Sequence, residues 1–224
     1  MSLAQPDLSQ WKGVARPERS AIEGRYARLE PLSGRVHGDD LFASAQAEAA
    51  RFRYLPDDVP QDRASFDAWL AKAEASADPM FFAVIDKATG RAEGRQTLMR
   101  IDPANGVIEI GNILWGPAIA RSRVATEALF LFARQVFDLG YRRFEWKCNN
   151  ANEPSKLAAL RFGFAPEGVF RQHMVVKGQN RDTAWYAMLD RDWPRLKAAY
   201  EAWLDPANFD AQGRQKAKLQ AEPA

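Results

Sequence analysis

Three titratable side chains lie on segments with the alternating pattern of β-strands, where they could take up or release a proton. Glu109 lies in the run 107–115 (VIEIGNILW), and alternation turns it away from the apolar residues on either side. Glu145 and His173 lie on two other predicted strands. Carboxylates and imidazoles are the usual groups of general acid–base chemistry. A single histidine on a strand, however, is more often a hydrogen-bonded packing residue.

Two further segments have the residues and spacing of a helix N-terminus. The run 115–125 joins a predicted strand to a predicted helix, and the free N–H groups and dipole of such a helix start commonly bind phosphate. Asn152 and Ser155 begin a shorter predicted helix, in which Asn152 can cap and Ser155 lies in the first turn. Ser155 is then either a plain capping residue or a hydroxyl that faces the sheet and takes part in chemistry.

The composition excludes several classes of site and partner. Cys148 is the single cysteine, which excludes an internal disulfide and a CxxC zinc site. The two histidines, His37 and His173, are too few for a typical structural zinc. The net charge of +2 is too small for nucleic-acid binding by bulk charge. No segment reads as a signal peptide or a membrane span, so we expect a cytoplasmic protein that needs no metal and binds neither nucleic acid nor membrane.

The candidate site residues depend for their positions on an α+β arrangement of helices and strands. Its clearest part is a meander of three antiparallel strands at 80–85, 93–101 and 107–115, with Asn105-Gly106 as a hairpin turn. Helical spacing begins near Val124 and ends at Gly140. The other expected elements are a strand near 25–30, helices at 39–50, 61–77, 154–161 and 194–204, and strands at 143–148, 170–176 and 183–189.

Three segments together resemble the GCN-five-related N-acetyltransferase (GNAT) superfamily and, within it, the RimJ/RimL-type ribosomal-protein alanine acetyltransferases. GRYARLEPL (24–32) resembles the opening strand of that branch. Residues 109–137 resemble its fourth strand, pyrophosphate loop and third helix, and residues 142–189 its fifth strand, acceptor-side helix and final hairpin. We therefore expect an arm at 1–23, an acetyltransferase domain at 24–193, and a C-terminal helix with a polar tail at 194–224.

The resemblance implies a mixed, mostly antiparallel sheet, flanked by helices, that splays apart between its fourth and fifth strands. Acetyl-CoA would lie in this opening as the acetyl donor, with its pyrophosphate on the N–H groups before the helix at Val124. A backbone N–H near Ile113 or Leu114 would polarise the thioester carbonyl. The residues expected to contact the cosubstrate are Ile113, Leu114, Trp115, Arg121, Ser122, Arg123, Val124, Ala125, Thr126, Asn152 and Ser155.

The predicted pyrophosphate loop departs from the family pattern Arg/Gln-x-x-Gly-x-Gly/Ala. The matching positions are Ala120, Arg123 and Ala125, so the last one alone conforms. Glycine normally allows a positive φ and a close approach of backbone to phosphate. Two interpretations remain. Either Arg121 and Arg123 add side-chain charge to the phosphates, which we favour, or both are solvated and the loop binds CoA poorly.

The resemblance also suggests catalytic roles. It makes Ser155, within N-x-x-S, the residue that protonates the departing thiolate. The branch carries a glutamate base at the position of Met174, so that base is missing here. We expect Glu109 to replace it, directly or through water, followed in order of preference by His173 and Glu145. An α-amine acceptor, with a pKa of about 8, needs less help from a base than a lysine, at about 10.4.

The sequence therefore predicts an acetyltransferase that moves an acetyl group from acetyl-CoA to a primary amine by direct attack in a ternary complex. The acceptor would be a protein N-terminus or a small-molecule amine, and a homodimer is left open. The missing loop glycine and the missing glutamate favour an alternative. This is a catalytically weak acyl-CoA-binding or sensing protein that keeps the fold.

Overall fold

A computed structural model describes residues 7–221, and its strands form one eight-stranded sheet in the order β1-β2-β3-β4-β5-β6-β8-β7. Neighbouring strands are antiparallel except β5 and β6, which are parallel. This confirms the expected mixed, mostly antiparallel sheet. The strands are β1 (Ile22–Glu23), β2 (Ala27–Pro31), β3 (Met80–Asp86), β4 (Arg91–Asp102), β5 (Val107–Trp115), β6 (Arg143–Asn149), β7 (Ala165–Val176) and β8 (Gln179–Leu189).

Helices flank both faces of this sheet. In the described residues, no helix is both long and apolar enough to cross a membrane. The helices are α1 (Gly34–Ala47), α2 (Arg63–Ala75), α3 (Arg123–Asp138), α4 (Glu153–Arg161) and α5 (Trp193–Trp203), with short 3-10 helices at Ala49–Tyr54 and Pro206–Asn208.

The first helix begins earlier than the sequence pattern predicted, at Gly34 rather than at Asp39. The carbonyl of Ser33 accepts the N–H of His37 at 2.9 Å, which closes the first turn. The N–H of Gly34 donates to Glu74 Oε2 in α2, also at 2.9 Å. A carboxylate from a distant helix thus stabilises this start, and local spacing in the sequence cannot reveal such a contact.

Other boundaries also shift. The strand expected from Phe170 starts at Ala165, and Tyr54, expected in a loop, ends a 3-10 helix. The second helix starts at Arg63 rather than at Gln61 because Asp62 and Ser65 form a capping box that fixes its start.

The largest apolar core lies between the sheet and α3, most of whose residues are buried. Helix α5 packs on this core, and the hydroxyl of its Tyr200 donates to the carbonyl of Phe162 at 2.9 Å. The segment after α5 was expected to be a polar tail, but it buries Phe209, Leu219 and Ala221 in the same core. Apolar residues spaced this widely in a polar segment show no period that a sequence pattern could detect.

Candidate active site

Strands β5 and β6 run side by side only over their first halves. Their parallel pairs extend from Val107 with Arg143 to Ile110 with Trp146. Beyond that point β5 continues beside β4, while β6 continues beside β8 to Asn149. The sheet therefore opens after Ile110 and Trp146, between the fourth and fifth strands that the sequence predicted.

A bulge in β5 changes which side chains face α3. Asn112 has φ +49°, and the register between β4 and β5 shifts around it. Before the bulge, Ile108 and Ile110 pack on the α3 side; after it, Ile113 and Trp115 do so. Because of the extra residue, apolar side chains stay on that side although they change from even-numbered to odd-numbered positions.

The loop between β5 and α3 ends in a capped helix start. Ser122 is the N-cap, and its Oγ accepts the N–H of Val124 at 3.1 Å. Arg121 precedes it with an exposed side chain and a φ of +61°, a conformation that glycine adopts at lower cost. The first turn of α3, which includes Ala125, leaves N–H groups without helical partners that can bind an anion.

The two arginines at this helix start occupy different environments. The guanidinium of Arg123 lies over the ring of Tyr26 at 4.4 Å and near that of Phe209 at 5.3 Å. Arg123 is therefore already in contact with aromatic rings, whereas Arg121 is exposed beside the free N–H groups. Thr126, in the first turn of the same helix, donates its hydroxyl to the carbonyl of Ser122 at 3.1 Å.

Helix α4 also contributes a cation to this region. Arg161 Nη1 donates to the Oγ1 of Thr126 at 3.2 Å, and burial lowers the pKa of Arg161. Arg161 could not be predicted as a site residue from the sequence, because its position in α4 resembles that of an ordinary basic residue in a last helical turn.

Ser155 is fixed at the point where the sheet opens. Asn152 caps α4 by accepting the N–H of Ser155 at 3.3 Å, as the sequence predicted for a cap. The Oγ of Ser155 accepts the indole N–H of Trp146 at 3.0 Å. Since the indole can only donate, the hydroxyl keeps its own proton for another acceptor.

Cys148 lies close by on β6 and is buried. Burial raises the pKa of its thiol, and the hydrogen bond with Ser155 only partly offsets this effect. A thiol kept neutral in this way is a poor nucleophile.

Glu109 and Glu145 are paired across β5 and β6, on the face of the sheet opposite Ile110 and Trp146. Lys147 Nζ lies 3.0 Å from Glu109 Oε2 and 2.8 Å from Glu145 Oε2, and 3.7 Å from the ring centre of Trp185. Arg100 Nε lies 3.2 Å from Glu109 Oε2. Both carboxylates and Lys147 are thus almost fully buried, whereas Arg100, which completes the network of ion pairs, is half exposed.

The pKa values of Glu109 and Glu145 are shifted in opposite directions. Burial raises the pKa of Glu109, and the charges of Lys147 and Arg100 only partly offset it. Burial acts in the same direction on Glu145, but hydrogen bonds from Lys147 and Arg143 outweigh it and its pKa is lowered. Glu109 thus has the greater tendency to hold a proton.

His173 lies at the exposed outer strand, away from the core. Its Nδ1 is 2.9 Å from the Oγ1 of Thr183, and its ring is 6.0 Å from that of Trp185, which Lys147 also contacts. Met174, at the position of the family's glutamate, is 38% exposed. His173 is therefore next to the ion-pair network, because its ring and Lys147 both contact Trp185.

A cavity of about 400 Å³ lies under α1, α2 and the chain that connects them. Leu114 reaches it from β5, beside the opening, and pairs with Arg95 in β4. The guanidinium of Arg95 stacks on Trp69 at 4.3 Å and donates from Nη2 to Asp57 at 2.5 Å. Burial lowers the pKa of Arg95, and Asp57 partly offsets this effect.

Arg95 is the main lining residue that the sequence pattern did not predict. Its neighbours Gln96 and Thr97 are polar too, so no alternation of apolar and polar residues marks the position as buried. Among the described residues, no group of three His, Cys, Asp or Glu side chains could hold a metal ion.

Comparison with known proteins agrees with this architecture. A family model described as an acetyltransferase (GNAT) domain matches residues 28–165. The chain is 61% identical to a GCN5-related N-acetyltransferase from Brucella melitensis, with a TM-score of 0.94 over 95% of this chain and 98% of that one. It is 39% identical to a probable GNAT-family acetyltransferase from Chromobacterium violaceum ATCC 12472, with a TM-score of 0.80 over 87% and 98%.

A more distant structure shares the fold alone. The microcin C7 self-immunity acetyltransferase MccE, crystallised with acetyl-CoA and AMP, is 20% identical, with a TM-score of 0.65 over 74% of this chain and 93% of that one. No curated protein sequence matches significantly.

Proposed function

Because the chain belongs to the GNAT family of acetyltransferases, and is thus an acyltransferase, we propose that it acetylates a primary amine by direct attack in a ternary complex. The family transfers the acetyl group from acetyl-CoA. The observation that carries the proposal is the Ser155 hydroxyl, held by Trp146 where the sheet opens.

The described residues fit acetyl-CoA at this opening. The capped start of α3 offers backbone N–H groups to an anion, and the exposed Arg121 adds a positive charge. Strand β5 continues past the opening through Ile113 and Leu114, so that its backbone can contact the thioester. When bound, acetyl-CoA supplies an activated acetyl carbon with a thiolate as the leaving group.

Ser155 acts as the proton donor in this proposal. The amine nitrogen bonds to the acetyl carbon as the carbon–sulfur bond breaks, and Ser155 passes its proton to the sulfur. The indole of Trp146 orients Oγ without accepting that proton. Ser155 regains a proton from solvent.

Glu109 takes the proton that the amine loses, directly or through water. One feature supports Glu109 over Glu145, with which it shares a sheet face. The raised pKa of Glu109 brings it nearer to neutral pH, where a general base works best, whereas the pKa of Glu145 is lowered. His173 is the second candidate because it lies beside the same network.

Several finer predictions remain part of the proposal. The RimJ/RimL resemblance supports a protein N-terminus as one acceptor, and a small-molecule amine is the other. Assembly as a homodimer, a cytoplasmic location and action without nucleic acid stay predictions.

The test combines cosubstrate binding with turnover. We expect acetyl-CoA to bind in calorimetry and to raise the melting temperature, because a ligand of the folded state stabilises it. CoA thiol release should then depend on an added amine. Ser155→Ala should lower kcat by about a hundredfold, as expected for a lost general acid, with little change in acetyl-CoA affinity. Binding without turnover on any amine would support the sensing alternative.

Asn152→Ala tests the helix cap separately from the hydroxyl, and its acetyl-CoA affinity is measured as well because Asn152 is itself expected to contact the cosubstrate. The substitution removes the cap of the same helix and should cost about 1 kcal/mol of stability, while the hydroxyl of Ser155 stays in place. If both variants lose stability and neither loses turnover, Ser155 is a structural residue.

A further inference from the structure

The cavity beside Leu114 has the composition of a small-molecule site rather than of a packing defect. Its volume of about 400 Å³ lies within the range of ligand pockets. Aromatic side chains form much of its wall, and a few polar groups converge on it. The side chains that matter here are Phe52, Phe66, Trp69, Arg95, Asp57 and Leu114.

The hairpin of β7 and β8 holds the connection between α1 and α2, which forms part of the cavity wall. Lys177, in the turn of that hairpin, donates from Nζ to the carbonyls of Phe52 and Asp57 at 3.1 and 2.8 Å. The same Nζ lies 2.9 Å from Asp58 Oδ1. The connection between α1 and α2 is therefore fastened to the far side of the sheet opening.

Arg95 is incompletely paired within this cavity wall. Its side chain is 3% exposed, and Nη1 has no hydrogen-bond partner among the described residues, while Nη2 is bound to Asp57. A buried N–H group of a charged side chain without an acceptor is costly. The stacking on Trp69 holds the guanidinium plane in place, so that it cannot turn easily to find one.

The charges around the cavity determine which ligand group fits. Asp57 is already paired with Arg95, and Asp58 with Lys177. The unmatched group is thus a donor on a cation, and the partner that strengthens its hydrogen bond most is an anionic oxygen. A carboxylate, with a single charge, suits this place better than a phosphate dianion because two aspartates lie close by.

We propose that this cavity binds the acceptor of the acetyl group, and that the acceptor carries a carboxylate which Arg95 binds through Nη1. The inference rests on the proposed amine acetylation and narrows its acceptor to an amine with an acidic group and an apolar or aromatic body. Because Leu114 belongs to both the cavity and the opening, such an acceptor lies next to the thioester.

The test compares each acid with its neutral amide. The probes are phenylalanine against phenylalaninamide and 4-aminobenzoate against 4-aminobenzamide, which differ in the separation of amine and carboxylate. We measure the acid-to-amide ratio of kcat/KM in the wild type and in Arg95→Lys, so that the intrinsic basicity of each amine cancels. For at least one pair, this ratio should fall at least tenfold in the variant. An unchanged ratio in both pairs overturns the proposal.

Two further variants guard against a folding artefact. Arg91→Lys changes an arginine on the same strand that is half exposed, and it should leave the ratio unchanged. Asp57→Asn removes the carboxylate that competes with the acceptor for Arg95 and keeps Arg95 itself. The acid-to-amide ratio of kcat/KM should therefore rise. If Arg95→Lys does not fold, a fall or no change in Asp57→Asn overturns the proposal.

Failure of the acetylation itself is distinguished by binding. If the wild type acetylates no probe, calorimetry with N-acetylphenylalanine and N-acetylphenylalaninamide still tests Arg95. Tighter binding of the acid in the wild type, lost in Arg95→Lys, supports the carboxylate site. Equal binding of the two, or no binding of either, overturns it.

Discussion

The two faces of the sheet at the β5–β6 opening contain adjacent residue pairs with opposite chemistry. On the α3 face, Ile110 and Trp146 are paired, and Trp146 donates to Ser155. One register position earlier, Glu109 and Glu145 are paired on the other face, around Lys147. One face therefore carries a hydroxyl that can donate its proton, and the other a carboxylate whose pKa is raised by burial.

In the proposed mechanism, this difference separates the proton donor from the proton acceptor. Consecutive residues of a strand point to opposite faces, so Glu145 faces the carboxylate side of the sheet while the next residue, Trp146, holds Ser155 on the other. The donor face needs no charge because a neutral hydroxyl acts there. The acceptor face needs Lys147 to compensate two buried carboxylates.

The largest expected effect is a loss of stability when the positive charge of Lys147 is removed. Lys147→Met should reduce the free energy of unfolding by about 3 kcal/mol, the lower end of the range for a broken buried ion pair, because Arg100 and Arg143 remain near the carboxylates. Urea denaturation at pH 7 measures the loss, which should shrink at pH 4 as the carboxylates take up protons.

The control for this variant is Lys156→Met, which breaks an ion pair with Glu153 on the surface of α4. We expect little change in stability there. Comparable losses in the two variants would show that burial of the network around Lys147 has no special energetic role.

A smaller effect is expected on the donor face. Trp146→Phe removes the indole N–H that orients Ser155, and the loss of about 1 kcal/mol for one hydrogen bond corresponds to a kcat roughly five- to tenfold lower. Trp203→Phe is the control, because Trp203 is equally buried and donates its N–H to Gln215 instead. Equal kcat values in wild type and Trp146→Phe would separate the indole from the chemistry.

The smallest effect is a change in pH dependence on the acceptor face. Since the pKa of folded Glu109 is raised above its usual value of 4.5, the unfolded state loses this proton first, and the wild type loses stability as pH rises through that window. Glu109→Gln cannot lose this proton. The stability of the wild type relative to Glu109→Gln should therefore fall from pH 4 towards neutral in urea titrations. A constant difference would contradict the raised pKa.

The periodic parts of the fold were predictable because each follows a local rule. The meander around Asn105-Gly106 and the helix from Val124 follow from turn chemistry and from spacing, and the structure has both elements within about two residues. The cap at Asn152 was predictable for the same reason. In contrast, the start of α1 depends on Glu74, which lies 40 residues from Gly34.

The candidate site was predictable only in its residue types. The motif N-x-x-S drew attention to Ser155, but the partner of its hydroxyl, Trp146, comes from the neighbouring strand. The sequence presented Arg121 and Arg123 as equivalent, whereas packing of the distant Tyr26 and Phe209 separates them.

By itself the sequence determined the order of the main elements and the cap at Asn152, because these depend on neighbours a few positions apart. The opening between β5 and β6 was expected from the family resemblance alone. The tertiary structure alone decided the electrostatics. Glu109 shares Lys147 with Glu145 because β5 and β6 are parallel and in register. Arg95 is buried because α2 places Trp69 on its guanidinium. Burial and charge pairing act through space between residues far apart in the chain, so no local pattern contains them.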